Sequence, residues 1–179
     1  MRRILEKIPE RVRLPTLTAI YGVSSGLVAV AFMLSVNKLF GMVWHRLSAL
    51  STGGFVLASF LVIALSSIAS GILMTKVRPD AAGSGIPQLK AAYWKDLGAV
   101  SFLAVLVKFV GGVLALAGGS SLGREGPTVF MAGGLSSNIA GWLGVPYRRR
   151  RHAAASGAAA GLAAAFNTPL AAISFVLEE

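Results

Sequence analysis

The chain predicts an all-α, polytopic membrane protein whose helices are in part broken, and three features of the sequence predict it. Hydrophobic residues make up 55% of the 179 and charged residues 13%, against about 25% charged in a soluble globular domain. The apolar residues gather into runs of roughly twenty, the length that crosses about 30 Å of hydrocarbon at 1.5 Å per residue. Pro87, Pro127 and Pro169 each follow a flexible or capping residue and precede a helical run, so helices start inside apolar surroundings.

The same composition excludes other classes. The net charge of +10 comes with only 8% aromatic residues, and the basic residues sit in short clusters between apolar runs. That is the pattern of membrane topology, not of a phosphate-tracking groove, so no nucleic-acid partner is expected. There is no cysteine, and His45 and His152 stand alone. No metal site, no cofactor and no enzymatic activity are expected.

Residues 1–14 alternate charged and apolar side chains and lack a small-residue cleavage site behind a hydrophobic core. They predict a cytoplasmic amphipathic helix lying on the membrane, held by Arg2, Arg3, Lys7, Arg11 and Arg13, rather than a signal peptide. Residues 15–179 then form the membrane domain. Runs at 15–36, 55–75, 98–117 and 128–145 each predict a span, the third interrupted by Lys108 alone. Lys108 either faces a cavity or snorkels to the interface. Residues 152–165 are small and Ala-rich, Asn167-Thr168-Pro169 interrupts them, and 170–177 follow. Neither piece is long enough to span alone, so together they predict a hairpin.

Orientation follows from the loops. Thirteen of the 17 Lys and Arg fall in the N-terminal segment, in 76–96 and in 148–151, which places those segments in the cytoplasm. Counting crossings puts Glu125 toward the outside and Glu178-Glu179 toward the inside. Acids at a helix C-terminus oppose its dipole by about 0.3–1 kcal/mol each; they are either a solvated helix end or a functional placement. Gly22 with Gly26 and Gly157 with Gly161 have the spacing that lets membrane helices approach closely.

The stretch Gly118-Gly119-Ser120-Ser121-Leu122-Gly123-Arg124-Glu125-Gly126-Pro127-Thr128 organises the rest, because it sets an Arg and a Glu between apolar runs. Pro127 is expected to open a helix with Gly126 as its cap. The free N–H groups of a first turn attract an anion, and Glu125 is an anion tethered to that place. A carboxylate and a small external anion then compete for one set of donors until the carboxylate takes up a proton. An interfacial loop pair or a dipole-stabilising acid is the plainer reading. Adjacent residues do not face each other on a helix, so Arg124 is not expected to neutralise Glu125. Ser84 offers a hydroxyl in a glycine-flanked loop, either a ligand site or an ordinary turn. The candidate anion-binding set is Ser84, Gly85, Ile86, Gly123, Arg124 and Gly126.

At Gly83-Ser84-Gly85-Ile86-Pro87, at Gly123-Arg124-Glu125-Gly126-Pro127-Thr128-Val129, and from Ser156-Gly157-Ala158 through Phe166-Asn167-Thr168-Pro169-Leu170-Ala171, the chain resembles the CLC family of chloride channels and chloride/proton exchangers. The resemblance implies tilted and broken helices in two inverted halves, of which this is the first, assembled as a homodimer with one pore per subunit. It implies that Ser84 helps bind chloride, that Glu125 is the external gating glutamate, and that Glu179 matches the internal proton-passing glutamate of exchangers. Chloride transport in a bacterial plasma membrane follows, as Cl⁻/H⁺ antiport more than as a passive channel. Gln88 stands where the family's first motif has Glu. The family's Gly-x-Phe-x-Pro stretch and chloride-site tyrosine are absent before Glu179, so the chain is expected to be a fragment. The competing readings are a secondary transporter of another anion and a non-transporting membrane scaffold.

Overall fold

A computed structural model describes residues 9–178. The expected surface helix at 1–14 lies largely outside that range, and so does Glu179. Among the described residues the fold is helical throughout: α1 (Glu10–Leu47), α2 (Thr52–Ile72), α3 (Ile86–Lys95), α4 (Phe102–Ala117), α5 (Glu125–Trp142), α6 (Arg150–Phe166) and α7 (Pro169–Glu178). A π-helical turn, Leu73–Val77, extends α2, and short 3₁₀ turns precede α3 and α6.

α1 is longer at both ends than the apolar run that announced it. It passes without a break through Pro15, so residue 14 is no helix boundary, and it continues past Val36 to Leu47. Among the described residues, two helices, Val12–Leu47 and Thr52–Val77, are long and apolar enough to cross a membrane. α2 exposes Val56, Leu57, Phe60, Leu65 and Ile68. That stripe is costly in water and neutral against lipid.

α5 is the central element, and its small residues explain why. Gly126, Thr128–Gly134, Ser136, Ser137 and Ala140 are buried on it, and α6, α1 and α4 pack around it. Gly157 and Gly161 face α5, where a Cβ would meet Ser136, Ala132 and the Thr128 carbonyl. This is the close approach expected from four-residue spacing. The other pair differs: a Cβ on Gly22 or Gly26 would meet nothing within 4 Å, so spacing alone did not identify a packed face. α1 is joined to α5 instead by Ser25, whose Oγ lies 2.8 Å from Ser136 Oγ and donates to the Ala132 carbonyl at 3.1 Å. Hydroxyls sealed into such a pair leave no polar atom facing hydrocarbon.

The hairpin is present. α6 ends at Asn167 in the left-handed conformation, φ 57°, and α7 opens at Pro169. The basic clusters meet at one end of the molecule: Arg13 shares a cavity with Arg149 and His152, and Arg151 Nη2 donates to the Trp94 carbonyl at the end of α3, 2.9 Å away. At the other end, Trp44 Nε1 donates to the Ala117 carbonyl at the end of α4, 3.1 Å away. In the loop before α3, Arg78 binds Asp80 through two hydrogen bonds of 2.9 and 2.7 Å. That hydrogen-bonded partner holds the Asp80 carboxyl below its ordinary range.

Candidate functional site

Two helix starts build the site. At α3, Gly83 and Gly85 have φ of 86° and 115°, a region L side chains rarely adopt. Gln88 reaches back one turn, and its Oε1 accepts the Gly85 N–H at 2.8 Å. This is the return half of a capping box, made here by a neutral amide. Gln in place of Glu therefore keeps the turn while removing a negative charge from beside it. Ser84 is exposed, and neither its hydroxyl nor the N–H groups of Gly83, Ser84 and Ile86 have a hydrogen-bond partner among the described residues.

α5 starts two residues earlier than Pro127 suggested. Arg124 is the cap, Glu125 the first helical residue and Pro127 the third; at α3, Gly85 caps and Pro87 is second. The N–H groups of the whole first turn lack intrahelical partners, so Pro fits anywhere within it. Pro169 alone takes the first position. Glu125 therefore belongs to the helix's first turn, where a carboxylate is favoured by the dipole. The N–H groups of Gly123, Arg124, Glu125 and Gly126 have no hydrogen-bond partner among the described residues, and the first amide committed downstream is that of Thr128, to the Arg124 carbonyl. Glu125 is half-buried, and its Oε2 lies where Gly123 would carry a Cβ. Arg124 is exposed and makes no ion pair with it among the described residues. A cavity of about 290 Å³ borders this turn, walled by Phe32, Asn37, Leu116, Arg124 and Glu125.

The two starts touch backbone to backbone. A Cβ on Gly126 would overlap the Ser84 carbonyl, and one on Gly85 would overlap the Gly126 carbonyl. Ser84, Gly85 and Gly126 are thus brought together, with Glu125 and Gly123 beside them and Ile86 supplying the first amide of α3.

Lys108, left open by the sequence, fixes the loop that carries Ser84. It is 1% exposed, and its Nζ donates to the carbonyls of Ala81 and Gly83 while lying 5.9 Å from the Phe130 ring centroid. An ammonium in an apolar run must find such acceptors. Its position mid-run was a signal for a buried partner, but nothing in sequence spacing named residues 81 and 83. Lys108→Met keeps the side-chain length and strands both carbonyls. It is expected to cost about 1–3 kcal/mol, read as a lower unfolding temperature in detergent, with partial recovery in Lys108→Arg.

The third helix start does not join the other two. Pro169 is exposed and α7 packs along α6. The opposite end of α7 approaches the site, where Phe175, Val176 and Leu177 share a cavity of about 190 Å³ with Ile86, Leu89 and Val129. Glu178 is exposed.

Comparison with known proteins identifies the family. The family model described as "Voltage gated chloride channel" matches residues 63–179. The H(+)/Cl(-) exchange transporters ClcA of Salmonella paratyphi B and Salmonella newport are each 38% identical to the whole chain. The chain spans 38% of the length of those relatives. Among solved structures, a slow cyanobacterial Cl⁻/H⁺ antiporter superposes with a TM-score of 0.77 at 29% identity, over 92% of this chain and 39% of that one. A eukaryotic CLC transporter gives 0.80 at 26% identity, over 93% and 33%. A match of this extent means that the chain belongs to the voltage gated chloride channel family, the CLC proteins.

Proposed function

We propose that this chain supplies the first part of a chloride/proton exchanger in which chloride and the Glu125 carboxylate take turns at the first turn of α5. The supporting observation is the run of four uncommitted N–H groups, Gly123 to Gly126, beside a half-buried carboxylate and against the Ser84 loop. Such donors bind an anion without a full positive charge, so the ion is held loosely enough to leave. When Glu125 is ionised it is the anion at that place; protonation removes the charge, the side chain gives up the donors and chloride enters. The Ser84 hydroxyl, without a hydrogen-bond partner among the described residues, donates to the same ion from the α3 side. Proton and chloride binding are then linked, each changing the other's affinity by the same factor.

In this reading Glu179 passes protons on the cytoplasmic side, the side that also holds the N-terminus and the basic clusters of a bacterial plasma-membrane homodimer. Glu179→Gln is expected to stop proton movement and leave chloride movement in place; equal loss of both would mean that the residue is structural. The whole reading is tested in proteoliposomes holding the chain together with the remaining length of its relatives, under a chloride gradient with nitrate and glutamate as competitors. Chloride flux accompanied by opposing proton flux is expected. Flux that follows glutamate instead would make it a transporter of another anion, and no flux would make it a membrane scaffold.

A further inference from the structure

We propose that the cavity between the first turns of α1 and the start of α6 binds the phosphate group of an anionic membrane lipid. This site is remote from the Glu125 turn and does not depend on the transport reading. The cavity has a volume of about 90 Å³ and is lined by Arg13, Leu14, Tyr21, Arg149 and His152, among others, with no acidic residue among the described lining residues. The side chains of Arg13, Arg149 and His152 make no hydrogen bond or ion pair among the described residues.

Tyr21 is the second and independent observation. It is 5% exposed and packs with Leu17, Ala140, Leu143 and Ala153, yet its hydroxyl has no hydrogen-bond partner among the described residues. Arg13 lines the same cavity as the ring. The Tyr21 ring is packed away while its oxygen stays accessible at the cavity it helps to line. Here the ring lines a cavity whose other polar walls among the described residues are two guanidiniums, an imidazole and the hydroxyls of Thr18 and Ser156. The complementary ligand is an oxyanion, which guanidiniums grip bidentately while the phenol donates to a further oxygen.

Size and surroundings narrow the class. At about 30 Å³ per water, the cavity holds roughly three waters, the scale of one phosphate group and not of a sugar headgroup. Leu14, 58% exposed, stands at the same cavity, with Val12 exposed nearby. A lipid whose phosphate is seated there lays its chains against these apolar side chains, which offer a free phosphate ion nothing. Basic pockets between membrane helices are suited to such headgroups.

The test titrates the full chain, delipidated in detergent, with phosphatidylglycerol, phosphatidylcholine and inorganic phosphate, followed by native mass spectrometry. One phosphatidylglycerol per chain is expected in preference to phosphatidylcholine. Arg13→Gln or Arg149→Gln is expected to weaken it about tenfold, the scale of a lost charge-assisted contact. Tyr21→Phe, which keeps the ring packing, is expected to weaken it about threefold. Arg148→Gln removes equal charge outside the cavity and is expected to change nothing. The proposal is overturned if Arg148→Gln weakens binding as much as Arg13→Gln, if Tyr21→Phe binds as the parent does, or if equimolar inorganic phosphate displaces the lipid, which would assign the site to the free ion.

Discussion

In a chain carrying the remaining length of its relatives, Glu125→Gln is expected to reduce proton counterflow to the background leak while chloride flux stays within about tenfold of the parent, roughly 1.4 kcal/mol. The amide has nearly the shape of the protonated carboxyl but cannot ionise, so it neither claims the donors at Gly123–Gly126 as an anion nor carries a proton. Those amides have no other partner among the described residues. Chloride therefore meets an open site at every pH, and movement of the two ions separates. The measurement is simultaneous chloride and pH recording from proteoliposomes. Proton-coupled flux that persists unaltered would remove Glu125 from the mechanism.

Gly85→Ala is expected to be the most damaging single-methyl change in the site. At φ 115° a side chain is strained by about 1–3 kcal/mol, and the new Cβ would run into the Gly126 carbonyl, with Phe130 Cβ 3.0 Å away. Neither backbone can yield without pulling the α3 start off the α5 start, so Ser84 is carried away from the free amides. The expectation is a lower unfolding temperature together with chloride affinity weakened about tenfold or more, the scale of one lost charged hydrogen bond. Gly22→Ala is the matched control, since its Cβ would meet nothing within 4 Å. There the gain in helix propensity, up to about 1 kcal/mol, leaves stability equal or higher. If both variants behave alike, the contact between the two turns has no special weight.

What the sequence made legible was whatever depends on local chemistry. Apolar run length found α1 and α2, the two described helices long and apolar enough to cross a membrane, while the runs at 98–117 and 128–145 gave helices that do not meet that measure. Asn167-Thr168-Pro169 found the hairpin, because a left-handed residue followed by Pro ends one helix and starts another. The candidate residues Ser84, Gly85, Gly123 and Gly126 were visible as glycine-rich turns at the starts of helices. What stayed hidden depends on which elements meet in space. Three Pro-started helices look equivalent along the chain, yet only those at Pro87 and Pro127 converge, because Gly85 and Gly126 let their backbones touch and nothing comparable brings Pro169 there. Gly22-x₃-Gly26 and Gly157-x₃-Gly161 have the same spacing, but only the second faces a helix. Lys108 could not be assigned from its own neighbours because its acceptors lie 25 and 27 residues away. The exact opening of α5 was missed for a simpler reason: the first turn accepts Pro at more than one position, which moved Glu125 from the loop into the helix.

The direct test of a carboxylate and chloride sharing one place is chloride affinity, measured by calorimetry at two pH values in the parent and in Glu125→Gln. The parent is predicted to bind chloride more tightly at the lower pH, and the variant to bind at both pH values as tightly as the parent does at the lower one. If the variant kept the parent's pH dependence, chloride and Glu125 would not be competing for the amides that open α5.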